Sequence, residues 1–585
     1  MNSLLFSHPF KKGFQVVLLL AILLFNFGAG VAYALPPSND NFASATVVPG
    51  VPYQQLSIST IDATIQTGEP AVPNLCDGRM LAQGLHTVWY RFTPAATGLV
   101  SFDTVGSNYD TYIAVWTGTA LNNLTFYACD DDNLSSLQSQ LLTSFHAGTT
   151  YYIQVAAYAG TTTDPSNPAD VTGGNLNFHV RFPNIDVYVP STTLKGQYYL
   201  PGGTGERASY TGTNNGPVKL INVDTIPTIA AERVIYNVYG TQTSFSELMG
   251  LPESQLSTIY WFPWYNNVDL DTQLRFGNVS GSAATVHVYI GGVEMTGSPF
   301  SLGIGQSTRQ SFTGINNGPV EILSNVNIVA AERVIYKVYN FPTSFTEMMG
   351  LPNGQLDTTY WLPWYNNVDL DTQLRFGNVT NNTATVHVKI GGVEMTGSPF
   401  TLTGGASTRV SFAGINNGPV QIISDQNIVA AERVIYKING VPVSFSEMMA
   451  LPNNKLDTTY VMPWYNNKTL DTQLRFGNVS GSTATVHVYV GGTEMICVAP
   501  CVSSPFTLGP GQSTRVSFPT IDNGPVQIVS DVNIVAAERV IYKVNNVNTS
   551  FSEMMGLPNS LLDTTYWLPW YNNVDLDTQL RFGMP

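Results

Sequence analysis

Tyr360-Trp-Leu-Pro-Trp-Tyr-Asn-Asn-Val-Asp-Leu-Asp-Thr-Gln-Leu-Arg-Phe-Gly377 decides how this chain is read, because the chain writes it four times. The stretch recurs from Tyr260, Tyr460 and Tyr566 with few changes. Its copies stand roughly 100 residues apart, and equally constant motifs fill the intervals. Working outward, Thr285-Val-His-Val-Tyr-Ile290 alternates: Val286, Val288 and Ile290 share one face, His287 and Tyr289 the other. Gly291-Gly292 supplies a turn, Ser307 to Phe312 a second strand group, and Asn316-Asn-Gly-Pro319 a further turn. Val320 to Leu323 and Val329 to Tyr336 read as more strands.

One segment reads differently. In Ser344-Phe-Thr-Glu-Met-Met-Gly-Leu-Pro352, Ser344 and Glu347 have capping-box spacing, Gly350 suits a C-cap and Pro352 stops continuation. This predicts one or two helical turns, with a mildly strained left-handed cap where Ala450 replaces the glycine. The expected fold is all-β: an N-terminal β-sandwich followed by a rod of four tandem β-sandwich repeats, each with one short helix. The repeats are placed at residues 185–279, 280–379, 380–479 and 480–585. Cutting between the strands Leu374 to Gly377 and Val386 to Ile390 avoids an incomplete first repeat and an orphaned Leu580-Arg-Phe-Gly583, either of which leaves open sheet edges.

Residues 1–34 read as a secretory signal peptide: Lys11 and Lys12 precede an apolar run from Val16 to Phe27, and Ala32-Tyr-Ala34 fits a cleavage site. No later run is long enough for a membrane helix, so a secreted or cell-surface protein without a transmembrane segment after cleavage is expected. Only 11% of residues are charged, against about 25% in an average globular chain. A net charge of −15 argues against nucleic acid as a partner. The four cysteines form two regional pairs, Cys76 with Cys129 and Cys497 with Cys501. In an exported chain an even count favours disulfides, and regional pairing is the simplest of the three connectivities that four cysteines allow.

Residues 36–183 have their own vocabulary. Val88 to Thr93, Leu99 to Thr104, Tyr112 to Trp116 and Tyr151 to Val155 are strand-length apolar or alternating segments between turns, a β-sandwich pattern. Asn39-Asp-Asn-Phe42, Gly68-Glu-Pro70, Val88-Trp-Tyr-Arg-Phe-Thr-Pro94, Gly106-Ser-Asn-Tyr-Asp-Thr111, Val115-Trp-Thr-Gly118, Asp130-Asp131 and Ala147 to Val155 follow in order through residues 39–182. Together they resemble the bacterial pre-peptidase C-terminal domain. The resemblance implies an accessory β-sandwich of exported proteins that serves in secretion or binding, with calcium or collagen bound by some members. Cys76 sits in an insertion relative to that pattern, and no peptidase domain accompanies the module. The repeats resemble uncharacterised tandem modules of exported bacterial surface proteins, which carry no assigned role.

Several residues are candidates for function. Asp130 and Asp132, alternate members of an acidic run, are placed to share a calcium ion, against the plainer reading of a solvated turn. Trp261, Trp361 and Trp567 correspond to Val461, and loss of a whole indole suits a partly exposed ligand-binding position. Trp264, Trp364, Trp464 and Trp570 read as core. Asp369-Leu-Asp371 reads as a turn, because the repeat at 380–479 substitutes Lys468-Thr-Leu-Asp471. Glu332-Arg333 and its copies read as structural ion pairs, with Arg309 or Arg375 as partner for the glutamate. One histidine per repeat is too sparse for a metal site, and no catalytic motif is present. The expectation is a non-enzymatic adhesion or display protein with no cofactor beyond calcium, whose partner is an extracellular polysaccharide or protein surface. The alternatives are a carbohydrate-binding accessory protein of a polymer-degrading system and a cryptic hydrolase.

Overall fold

The computed structural model describes residues 35–71, 76, 85–132, 137–158, 172–238, 240–496 and 503–585. The expected signal peptide and the expected pairing of Cys497 with Cys501 lie outside the described residues. The chain is all-β, as expected, and divides into two compact units near Val180.

The N-terminal unit is a sandwich of two sheets. One contains Thr46–Val48, Leu85–Phe92, Tyr151–Ala157, Thr111–Thr117 and Thr125–Asp130. The other contains Tyr53–Ser59, Asn175–Arg181, Gly98–Asp103 and Gln140–Phe145. Aromatic rings fill the space between them, with Tyr90 stacked on Phe178 at 4.0 Å and Phe102 edge-on to Phe145 at 5.3 Å. The short motifs tie loops to this frame. Asn39 exchanges hydrogen bonds with the Trp89 backbone, Asp40 accepts from the Thr64 amide and hydroxyl, and the Trp89 indole donates to Glu69 at 3.0 Å. Cys76 and Cys129 form a disulfide, so regional pairing holds here.

The C-terminal unit departs from a rod. Its sheets gather residues 257–352 (unit two), 357–452 (unit three) and 457–558 (unit four) into three like units, and a composite unit combines residues 185–252 with 563–583. In each of the first three, a long strand such as Val320–Val338 pairs with different partners along its two halves. Its first half pairs with Ser257–Phe262 and Ala284–Ile290, its second half with Asp271–Asn278 and Phe341–Met349. The predicted alternation holds: Val286, Val288 and Ile290 are buried, while His287 and Tyr289 are not. In the composite unit this strand is divided into Val218–Asn222 and Ile229–Val238. Pro227, which has no backbone donor, lies between them.

The terminal strand Asp577–Gly583 inserts between Gly205–Ala208 and Ile229–Val238. The repeat boundaries at 279, 379 and 479 therefore fall inside sheets: Asp371–Asn378 and Ala384–Ile390 both pair with Val420–Ile438. Open edges are avoided not by a different cut but by closure, since the chain's own end supplies the strands missing from residues 185–252.

Closure is cyclic. The strands Thr241–Met249, Phe341–Met349, Val441–Met449 and Val547–Met555 each meet the next and the last meets the first, so the four units surround a pseudo-fourfold axis. Equivalent apolar clusters seal the four junctions; Leu270, Val334, Tyr336, Ile435 and Phe445 form the one between units two and three.

The predicted helix is absent. Phe341–Met349 is a strand, followed by a single 3-10 turn at Asn353–Gln355. The Ser344 hydroxyl does not cap a helix; it accepts the Phe445 amide of the next unit at 3.3 Å, and Thr346 accepts the Glu447 amide at 3.2 Å. The same pair of bonds recurs at every junction, including Ser550 to Phe245 and Ser552 to Glu247. The Gly350 amide bonds Ala330 and continues the sheet, and the cap strain expected at Ala450 does not arise, because neither residue has a positive φ.

Candidate functional site

Of the tryptophans expected as ligand platforms, Trp261 and Trp361 are half-buried and Trp567 is buried, and all three join units. Trp261 packs on the core of unit three, Trp361 on that of unit four, and Trp567 lies inside the core of unit two. Val461, at the same position, is fully buried in the core of the composite unit. Trp567 is only 4% exposed and offers no free face to a ligand. The Pro-Trp residues also sit at junctions, and of the four only Trp464 is buried. Each indole donates within its own unit, Trp364 to Asn416 at 2.8 Å, while an arginine of the next unit covers the ring, Arg207 over Trp464 at 4.6 Å.

Asp369 belongs to a turn: Asn366 Oδ1 accepts the amides of Val368 and Asp369, and its amide donates to Asp369 at 3.4 Å. In unit four Thr469 takes that place at 3.0 Å, which explains why the substitution is tolerated. His287 Nδ1 donates to the Glu294 carboxylate at 2.7 Å, and the Ser298 hydroxyl donates to the same carboxylate. The serine does not reach the histidine in a nucleophile–base arrangement; it accepts the Val288 amide and pins the turn.

In the N-terminal unit, the two aspartates expected to share an ion have different surroundings. Asp130 Oδ2 accepts the Gln140 amide at 2.7 Å, fixing that carboxylate in the frame. Asp110, Asp131 and Asp132 bring one carboxylate oxygen each within 4.8 Å of one another. Their hard oxygen donors suit calcium. Among the described residues this is the only His, Cys, Asp or Glu group close enough to hold a metal.

The densest polar constellation surrounds the ring axis. Glu347 receives Arg333 at 2.8 Å and Arg275 at 3.4 Å, and Glu553 receives Arg539 and Arg475 in the same way. Glu447 is held by Arg375 at 2.6 Å and Glu247 by Arg581 at 2.9 Å. All ten of these groups are nearly buried. Burial pushes Arg275 and Arg475 down to about 9. Glu232, Glu332, Glu432 and Glu538 each lie beside the glutamate of the following unit; burial first, then that like charge, raise their carboxyls well above the usual range. Arg375, anticipated as the partner of Glu332, is the arginine beside it.

Along the axis, strand alternation puts Glu247 and Met249 and their counterparts on one face. The four glutamates and Met249, Met349, Met449 and Met555 line a chamber of about 100 Å³. The same methionines, with the Leu-Pro pair that follows each, line a second, apolar chamber of about 140 Å³. Gln255 and Gln355, bonded to each other at 2.8 Å, lie at its rim. Sequence inspection did not find this site, because each unit contributes a single Glu-x-Met and nothing in one repeat shows that four converge.

No family model matches the chain, and no curated protein matches it. Among solved structures the chain is similar to a glycoside hydrolase family 32 structure from Bifidobacterium adolescentis, at 8% identity over 85% of this chain and 97% of the other, with a TM-score of 0.14. A likeness that weak carries no argument. No helix among the described residues is long and apolar enough to cross a membrane.

Proposed function

We propose that this is an exported, non-enzymatic adhesion or display protein, in which the closed ring presents a recognition surface and the N-terminal sandwich acts as a binding or targeting module. One observation carries the reading: the four axial hairpins end in exposed tips that differ from unit to unit, although most of the repeat is nearly constant. The tips read Tyr339-Asn-Phe341, Asn439-Gly-Val441 and Asn545-Asn-Val547, with Gly240-Thr241 in the composite unit. Tyr339 is 89% and Phe341 69% exposed. The hydroxyl bonds between successive hairpins have one register at every junction, so all four tips emerge at the same end. The repeated Ser-Phe-x-Glu, Pro-Trp-Tyr and Glu-Arg motifs serve the joints, which leaves the variable tips to face a partner.

The partner in this reading is an extracellular polysaccharide or protein surface, and calcium at Asp110, Asp131 and Asp132 steadies the N-terminal module. The resemblance of residues 39–182 to the pre-peptidase C-terminal domain, the signal-like N-terminus and the Cys76–Cys129 disulfide support export. The test applies the full chain to glycan arrays and to immobilised extracellular proteins. Binding that falls at least tenfold in a Tyr339→Ser/Phe341→Ser variant is expected; binding indifferent to those two residues would sink the reading.

A further inference from the structure

The two axial chambers share their four methionines, and only the lower one is lined by glutamates, so the axis has an apolar end and a floor that contains four carboxylates. We infer that they form one binding site for a small apolar molecule carrying a hydrogen-bond-donating head, an amine or a hydroxyl.

The apolar chamber sets the body of the ligand. At about 140 Å³ it matches cavities of about 150 Å³ that stay dry and take up benzene. Thioether side chains have three rotatable bonds and polarizable sulfur, so they close around rings or short alkyl chains of differing shape. The floor sets the head. Glu247, Glu347, Glu447 and Glu553 are 3–5% exposed and line the lower chamber. Each gives Oε1 to arginine, while its Oε2 has no hydrogen-bond partner among the described residues. An ionised carboxylate oxygen only accepts, and one left unmet in a buried site is costly, so the group that satisfies it must be a donor. A bare metal ion does not fit, because these carboxylates stand too far apart to count among metal-binding groups. The surrounding arginines already balance the carboxylate charge, so a neutral hydroxyl serves as well as an ammonium.

The site lies at the opposite end of the hairpins from the variable tips and is independent of surface recognition. Failure of this inference therefore leaves the display reading standing, and the reverse holds too.

The test titrates the full chain with benzylamine, benzyl alcohol and toluene by calorimetry. At least one of the two donors should bind about tenfold or more tightly than toluene, which has the same ring and no head. Met349→Trp, which fills the apolar chamber, should abolish that binding. In case that variant does not fold, methyl-labelled methionine spectra of the unaltered protein give a second readout. The methyls of Met249, Met349, Met449 and Met555 should shift, while those of Met295 and Met395, buried in separate unit cores, should not. No binding, equal binding of all three compounds, or shifts confined to other methionines would overturn the inference.

Discussion

Replacing Phe582 with alanine tests ring closure directly. Phe582 is fully buried in the cluster that contains Ile185, Val187 and Leu220, and its ring meets Tyr198 edge-on at 5.2 Å. Its backbone pairs with Glu206 on one side and Ala230 on the other. Truncating a buried phenylalanine costs about 3–5 kcal/mol through lost transfer free energy and the cavity left behind. At about 1.4 kcal/mol per decade, local amide protection falls by two to between three and four orders of magnitude, roughly 10² to 4 × 10³-fold, where opening is sub-global. Hydrogen exchange followed by mass spectrometry locates the loss. Peptides covering 185–188, 205–208 and 229–238 should exchange faster, although they lie more than 300 positions away in sequence. If protection fell in Ala484–Val490 and Ser513–Val516 while those peptides were unchanged, the last strand would belong to a separate terminal repeat and the ring would be refuted.

Ser344→Ala should cost about 1–3 kcal/mol in urea unfolding, because it strands the buried Phe445 amide; Thr346→Ser keeps its acceptor and should be close to neutral. The Glu332 carboxyl is raised above its ordinary value by burial and by Glu447, so the folded state holds its proton more tightly. That contribution is complete below about pH 4.3 and is lost as pH rises through the folded value. Glu332→Gln should therefore match the parent in melting temperature near pH 5 and exceed it near pH 8, and a difference independent of pH would contradict this. Calcium should raise the melting temperature of the N-terminal unit in the full chain, and Asp131→Ala should remove that gain. Asp130→Ala should lower stability with and without calcium, because it frees the Gln140 amide; identical melts in calcium and chelator would end the idea.

The parts of this fold visible in sequence are those in which one face of a strand is buried. Ala284–Ile290 announces itself because Val286 and Val288 alternate with His287 and Tyr289. Ser344-Phe-Thr-Glu misleads for the opposite reason. From Ser344 to Met348 both faces are buried, one in its own unit and one against the neighbour, so no period survives and a helical cap fits equally well. Val461 misleads similarly: replacement of an indole reads as exposure, yet the position lies in a joint where a different unit stands opposite. The edge argument for repeat boundaries was sound in principle, but local sequence does not show that residues 205–208 and 577–583 pair. The axial carboxylates were visible only as four separate glutamates, since convergence on an axis is a property of the closed ring.

The seam that joins residues 185–252 to 563–583 also governs when the protein can become itself. Ile185, Val187 and Leu220 are made well before the strands that cover them, Thr565–Leu568 and Asp577–Gly583. Units two, three and four each hold all their strands within about 100 consecutive residues and can form as they emerge. The composite unit must wait with its apolar face uncovered while some 340 residues are added, the span between paired Ile221 and Thr565. Early folding of the middle units shortens that wait, because it carries the two ends around the axis to meet.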